Sequence, residues 1–126
     1  MSRLLFFLTM KNQLKRITIG EFLLWLVRRR HRFRVLGNSM LPLLKPGDEL
    51  LINPNAYKRS RPTPGDIVVA AHPRRPDVRL VKRVASVTED GHCTLLGDNP
   101  LESTDSRDFG PVPAKKLLGQ VACRFG

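Results

Sequence analysis

Two residues of this sequence, Ser39 and Lys82, are of the types that can act together as nucleophile and base. A serine hydroxyl is a weak nucleophile until a neighbouring base removes its proton, and lysine can be that base only when it is neutral. The pKa of a free lysine, about 10.4, must therefore fall. Burial among apolar side chains lowers it, because desolvation penalises the ammonium form. Ser39 and Lys82 are thus candidates for the covalent catalysis of acyl transfer.

The residues around Lys82 have the alternation that would bury it. In a strand, Leu80, Lys82 and Val84 project to one face, whereas Val81 and Arg83 project to the other. If the face of Leu80 and Val84 looks inward, Lys82 is the buried cation and Arg83 need not be. We therefore expect replacement of Arg83 by alanine to impair activity less than replacement of Lys82.

The loop before Ser39 offers donors for the negative charge that acyl transfer places on a carbonyl oxygen. Its backbone N–H groups lie around Gly37 and Asn38, and the N–H of Ser39 itself is the natural first donor. Glycine at position 37 would permit a tight conformation.

A third polar stretch could support the lysine. The hydroxyl of Ser103 could orient Lys82 by a hydrogen bond, and Asp105 and Arg107 could pair to hold their loop in place. These roles follow from the chemistry of the side chains.

No histidine or cysteine pattern suggests a different site. His31, His72 and His92 lie in a basic segment, before a proline and beside a glycine turn, so we expect surface positions for all three. Cys93 and Cys123 stand in short apolar runs without metal-ligand spacing, and we expect two small buried hydrophobic residues. We therefore expect no metal and no cofactor.

Residues 35–126 have the pattern of turn-forming residues that is typical of a mainly β domain. Pro and Gly recur throughout and divide short runs rich in β-branched residues. We predict strands at 49–53, 66–71, 79–88, 92–96 and 120–125. A chain of 126 residues has room for one such domain and an arm.

Residues 1–34 form the predicted arm, which is basic and partly helical. They hold nine Lys and Arg against Glu21 alone, out of a formal net charge of +11 for the chain. Thr18 and Glu21 have the spacing of a capping box, and the apolar run at 22–27 continues the helix toward three arginines at 28–30. The helix could pack on the domain, lie in a membrane interface with 28–34 on anionic lipid, or bind nucleic acid.

The apolar stretches of the arm are short for a membrane span. A spanning helix needs about 20 apolar residues, whereas the stretches at 4–10 and 17–27 are separated by basic residues and the second contains Glu21. No cleavage site of the Ala-x-Ala kind follows them. We therefore expect a cytoplasmic protein, with peripheral contact at the inner face of the plasma membrane as the membrane alternative.

Five motifs, in order, resemble those of type I signal peptidases, the Ser-Lys serine proteases. They are Gly-x-Ser-Met-x-Pro at 37–42, Pro-Gly-Asp at 46–48, Gly-Asp-Ile-Val-Val at 65–69, Val-Lys-Arg-Val at 81–84 and Gly-Asp-Asn-x-x-x-Ser-x-Asp-Ser-Arg at 97–107. The resemblance implies a partly open barrel of short strands, with Ser39 as nucleophile, Lys82 as general base and Ser103 as the residue that orients it. It also implies an extended substrate beside the strands.

The detailed sequences of the motifs are most similar to those of a small subgroup, the proteases that mature nickel-type superoxide dismutase. That resemblance implies a dismutase precursor with an N-terminal extension as substrate. The alternative is a type I signal peptidase acting on exported precursors. A basic β domain that binds nucleic acid is weaker, because the chain has only eight aromatic residues and no strand interleaves them with basic ones. A self-cleaving repressor-type domain is weaker still, since no helix-turn-helix precedes the β region.

Overall fold

A computed structural model describes residues 14, 16–26 and 28–125. Within them a single antiparallel sheet has the strand order β1-β2-β7-β3-β4-β5-β6. Its strands are β1 (His31–Arg34), β2 (Glu49–Asn53), β3 (Ile67–Ala71), β4 (Arg79–Val87), β5 (His92–Leu96), β6 (Val112–Pro113) and β7 (Leu117–Phe125). The curled, open sheet confirms the prediction of a mainly β fold with a partly open barrel.

The five predicted strands agree closely with the structure, but the two edge strands, β1 and β6, were not predicted. The sequence of β1 is His-Arg-Phe-Arg, which lies within the segment assigned to the basic arm. Only Phe33 packs against the core, while the other three side chains are exposed. The sequence of β1 therefore has almost no hydrophobic alternation, and the strand is defined mainly by its pairing with β2.

Alternate residues of the central strand β3 enter two separate cores. Ile67 and Val69 pack on one side with Met40 and Leu44, whereas Val68 and Ala70 pack on the other. Because both faces are covered, β3 reads as a continuous apolar run.

The described part of the arm has one helix, α1 (Ile19–Leu26). Thr18 Oγ1 accepts the backbone N–H of Glu21 at 3.2 Å, as an N-cap does. The carboxylate of Glu21 instead pairs with Arg30 at 2.8 Å. No residue of α1 is buried, and no helix in the described ranges is long and apolar enough to cross a membrane. Residues 1–13 and Val27, which the sequence placed in the arm and its helix, lie outside the described ranges.

Candidate active site

Ser39 lies in a turn that its buried neighbours hold against the sheet. Val35 and Met40 on either side of it are buried in the core, while residues 36–38 between them are exposed. The N–H of Leu44 donates to the carbonyl of Met40 at 2.9 Å and extends the turn. Buried residues on both sides of the exposed segment thus hold Ser39, which is half-buried, at the edge of the core.

Ser39 and Lys82 line the same cavity, which has a volume of about 220 Å³. The turn at 35–40 and the start of β4 form most of its wall, together with Phe33, Glu102 and Thr104. No histidine lines it. The two residues that the sequence selected are therefore brought together although they are far apart in the chain.

Lys82 is 2% exposed, and its Nζ donates to Ser103 Oγ at 3.1 Å. Burial lowers the pKa of Lys82, and the positive charge of Arg107 acts in the same direction, whereas the negative charge of Asp105 opposes it. The hydrogen bond of Nζ goes to Ser103 rather than to the hydroxyl of Ser39.

Ser103 also forms a hydrogen bond with a buried carboxylate, that of Asp105. Its Oγ donates to Asp105 Oδ2 at 2.8 Å, so the oxygen that faces Lys82 is an acceptor. Asp105 also accepts the Nε of Arg107 at 3.0 Å and the backbone N–H of Gly97 at 2.9 Å. Burial alone would raise the pKa of Asp105, but these hydrogen bonds outweigh it and hold the pKa far below its usual range. Asp105 is thus a fixed anion at the end of the chain of hydrogen bonds.

Gly97 is the point at which the serine turn and the lysine support meet. A β-carbon here would clash with Ser103 Oγ and lie 2.7 Å from the carbonyl oxygen of Ser39. The neighbouring Asn99 donates its backbone N–H to that same carbonyl at 2.8 Å, and its side-chain amide donates to the carbonyl of Asn38 at 3.1 Å. Sequence reasoning did not give Asn99 this role, although it falls inside the Gly-Asp-Asn motif.

The remaining loop residues, Gly37 and Asn38, are exposed beside Ser39. A β-carbon at Gly37 would meet nothing within 4 Å, and Gly37 is not among the residues with positive φ. Neither the backbone angle nor close contact therefore requires glycine at position 37. Within the described part of the chain, no backbone hydrogen bond engages the N–H of Ser39.

Arg83 is also buried, although the alternation of side chains required burial only of Lys82. It is 1% exposed and binds Asp98 through two hydrogen bonds, of 2.9 and 3.0 Å. A third goes to the carbonyl of Gly65 at 3.1 Å. Both faces of β4 are covered at this point, so a cation on either face is buried, which the alternation of side chains alone does not predict.

The first half of β4 has a free edge beside the cavity. Its residues Arg79 to Arg83 pair with β3, but β5 pairs with β4 only from Arg83 onward. Among the described residues, no strand covers the backbone at 79–82 on the side where β5 would continue. The described ranges also contain no group of three ligating side chains able to hold a metal ion.

This arrangement can support proton transfer and nucleophilic attack. Burial lowers the pKa of Lys82 and so favours its neutral form, and the amine lines the same cavity as a serine hydroxyl. A free backbone N–H next to the hydroxyl can stabilise an oxyanion.

The family model described as "Signal peptidase, peptidase S26" matches residues 16–90 and 86–125. The chain is 34% identical over 110 residues to the mitochondrial ATP-independent inner membrane protease subunit 1b of Arabidopsis thaliana, covering 70% of this chain and 65% of that protein. It is 34% identical over 107 residues to the mitochondrial inner membrane protease subunit 1 of Xenopus tropicalis, covering 70% and 64%. The same subunit of Schizosaccharomyces pombe is 31% identical over 107 residues, covering 70% and 68%. The chain therefore spans just under two thirds of the first two relatives.

These relatives correct one prediction and shift another. The cytoplasmic location expected from the short apolar stretches is wrong, because the relatives are inner membrane proteases by name. The length of an apolar stretch tests only whether it can span a bilayer, and this does not decide where a protein works. The relatives also support the signal peptidase alternative better than the maturation of nickel-type superoxide dismutase. With a match that runs across the whole described sheet, the chain belongs to the signal peptidase family, peptidase S26.

Proposed function

We propose that this chain is a serine endopeptidase with a Ser39–Lys82 dyad that removes N-terminal segments from protein precursors. The observation that carries the proposal is the burial of Lys82 in the cavity of Ser39, with the acceptor oxygen of Ser103 on its amine. Family membership supports the same reaction class.

In the first step, neutral Lys82 accepts the hydroxyl proton of Ser39 as Oγ attacks the carbonyl carbon of the scissile bond. The N–H of Ser39 stabilises the oxyanion of the tetrahedral intermediate. When the C–N bond breaks, the ammonium of Lys82 gives its proton to the leaving amine, and an ester on Ser39 remains. Lys82 then takes a proton from a water molecule as it attacks the ester carbonyl. When the C–O bond to Ser39 breaks, the ammonium of Lys82 returns the proton to Ser39 Oγ, which releases the carboxylic acid and restores both residues.

Ser103 is the positioning residue in this mechanism. Because its own proton goes to Asp105, its oxygen can only accept from Lys82, which fixes one N–H of the amine. The nitrogen lone pair is then free to accept the proton of Ser39. Asp105 and Arg107 hold Ser103 in place through their ion pair.

The free edge of β4 at 79–82 supports binding of the substrate as an added strand. An extended peptide can pair there through its backbone, which suits precursors of different sequence because main-chain hydrogen bonds are independent of side chains. The cavity beside Ser39 would then receive the side chains next to the scissile bond.

For the substrate, we favour a precursor whose N-terminal segment directs it to a membrane, as the relatives are inner membrane proteases related to signal peptidases. The second candidate substrate is the precursor of nickel-type superoxide dismutase, which is favoured by the sequences of the motifs at 65–73 and 95–113. Incubation with an exported precursor and with a dismutase precursor, followed by sequencing of the new N-termini, separates them. Cleavage of neither, or equal cleavage by Ser39→Ala, would refute the proposed function.

The exposed face of α1 supports a membrane contact for the arm. Ile19, Leu23 and Leu26 are 82%, 54% and 55% exposed, and arginines follow the helix. An apolar face flanked by cations is typical of interfacial helices on anionic lipid. Sedimentation with vesicles containing phosphatidylglycerol tests this contact, and equal binding by an Ile19→Ser, Leu23→Ser variant would contradict it.

A further inference from the structure

A second cavity, of about 470 Å³, adjoins the cavity of Ser39 and Lys82. The two share Leu80 and Thr104 in their walls. The second cavity is formed by the turn between β3 and β4 and by the short helix α2 (Ser106–Phe109). It therefore extends the proposed cleft along β4, away from the dyad.

The cavity presents basic side chains that are not neutralised. Arg74 and Arg75 line it and are exposed, and within the described ranges neither forms an ion pair. His72, also in the wall, accepts the backbone N–H groups of both arginines on its Nδ1, at 3.0 and 3.2 Å. Its ring packs against Phe109 with the centroids 5.0 Å apart. With Nδ1 as acceptor, the neutral ring carries its proton on Nε2, so this nitrogen is a donor.

The acidic residues nearby do not balance this charge. Asp108 lines the cavity, but its Oδ2 accepts the backbone N–H of Asp105 at 3.1 Å as part of the cap of α2. Asp77 is exposed in the same turn between β3 and β4 and does not line the cavity. The wall thus holds two arginines and a histidine but only one aspartate, whose carboxylate already accepts a backbone N–H. A carboxylate ligand suits this donor set, since arginine can bind it with two parallel hydrogen bonds.

The distance along β4 relates this cavity to the scissile bond. A strand advances about 3.3 Å per residue, so Leu80 and Val78 lie roughly 7 and 13 Å along the chain from Lys82. Both residues line the second cavity. A peptide that runs beside β4 from the dyad would therefore bring to it a side chain two to four residues away from the bond that is cut.

We propose that this cavity is a specificity subsite for an acidic side chain, Asp or Glu, two to four residues from the scissile bond of the substrate. The proposal rests on the proposed function, because the dyad supplies the reference point. It adds a requirement on the sequence of the precursor that the reaction chemistry alone does not impose.

Cleavage of a random decapeptide library, read by mass spectrometry of the products, tests the subsite. We expect Asp and Glu to be enriched at one position within that window in the wild-type products. In an Arg74→Glu, Arg75→Glu variant the enrichment should disappear or change to Lys and Arg. For a single peptide with Glu at that position, kcat/KM should fall about tenfold, since charge reversal replaces attraction by repulsion. Lys58→Glu, Arg59→Glu is the matched control, because these exposed residues line neither cavity.

The outcomes separate the subsite from the reaction. Cleavage that depends on Ser39 but shows no acidic preference, or the same preference in the Arg74, Arg75 variant, overturns the subsite and leaves the peptidase intact. Absence of any cleavage that depends on Ser39 overturns the proposed function and the subsite with it. A loss of preference in the Lys58, Arg59 control as well would show a general charge effect and would also overturn the subsite.

Discussion

Two adjacent cations on β4, Lys82 and Arg83, are buried on opposite faces of the sheet and are held in different ways. Arg83 meets Asp98 in a two-point ion pair, with both side chains 1% exposed. Lys82 meets the hydroxyl of Ser103, and the nearest carboxylate in that chain of hydrogen bonds, Asp105, is already paired with Arg107. The comparison shows what burial does to a cation with and without a direct counter-ion.

The two side-chain types suit these two environments. Arginine remains charged in proteins, so its burial requires a partner such as Asp98. Lysine can lose its proton, and the pKa of Lys82 is lowered because burial penalises the ammonium form. One face of β4 thus carries a permanent structural charge, and the other carries a base.

The largest expected effect is the loss of cleavage in Lys82→Arg. Arginine keeps a cation at this position but cannot be neutral, so the rate should fall at least about ten-thousandfold, as for other removals of a catalytic base. The measurement is kcat/KM on a cleaved precursor, with circular dichroism to show the fold is kept. The wild-type rate should fall about tenfold per pH unit below the lowered pKa of Lys82.

Arg83→Lys is the matched control for this substitution. It retains a charge beside Asp98 and leaves Lys82 untouched, so cleavage should survive in the folded fraction. If Lys82→Arg remained active and the wild-type rate did not depend on pH, the base would have to be another group.

The next effect concerns the stability of the fold, to which Arg83 contributes through its ion pair with Asp98. Arg83→Met leaves Asp98 buried without its partner and should reduce the free energy of unfolding by about 3–5 kcal/mol. Urea denaturation at pH 7 measures it. The double variant Arg83→Met, Asp98→Leu removes both charges and should recover most of the loss, and failure to recover would mean that packing rather than charge makes Arg83 necessary.

A smaller effect is expected where the two parts of the site meet. In Gly97→Ala, the new methyl group must displace Ser103 or the carbonyl of Ser39. We expect kcat to fall about a hundredfold, since small misplacement of reacting groups has effects of this size. Gly37→Ala is the control, because its β-carbon meets nothing within 4 Å. Equal rates for the two variants would show that the contact at Gly97 does not position the dyad.

The sequence predicted most of the sheet because strands follow local patterns, whereas Ser39 and Lys82 were selected by their chemistry and by the resemblance of their motifs. Apolar runs and turn residues marked β2 and β5 at their observed bounds, whereas the proposed roles of Ser103, Asp105 and Arg107 followed from the chemistry of their side chains. These supports do converge on Lys82 in the structure.

The features that the sequence did not predict depend on segments that are distant in the chain and pack together only in the fold. The burial of Arg83 follows from cover on both faces of β4, and its partner Asp98 lies 15 residues away. The edge strand β1 has almost no apolar pattern and is defined by its pairing with β2. The contact of Asn99 with the turn of Ser39 spans the fold and has no signal in composition or periodicity.

The smallest effect separates the two cations most directly. Because the pKa of Lys82 is lower in the folded state than its ordinary value of 10.5, the unfolded chain binds more protons between these two values. The charge of Lys82 therefore opposes folding at pH values below its folded pKa, and this opposition vanishes as pH rises past about 10.5. Lys82→Met removes it and should raise the free energy of unfolding by about 1–2 kcal/mol at pH 7.

The pH dependence of this difference is the decisive observation. In Lys82→Met, loss of the hydrogen bond to Ser103 lowers the free energy of unfolding by an amount that does not depend on pH. The gain from removing the buried charge declines as pH rises. The stability advantage of Lys82→Met over the wild type should therefore shrink toward alkaline pH. Urea denaturation of both proteins between pH 7 and 11 measures it, and groups common to both cancel in the difference. Arg83→Met should show a deficit with no such trend, because arginine stays charged throughout. A difference for Lys82→Met that does not change with pH would mean that Lys82 has the same affinity for its proton in the folded and unfolded chain. The buried amine would then be no more often neutral than a lysine in water.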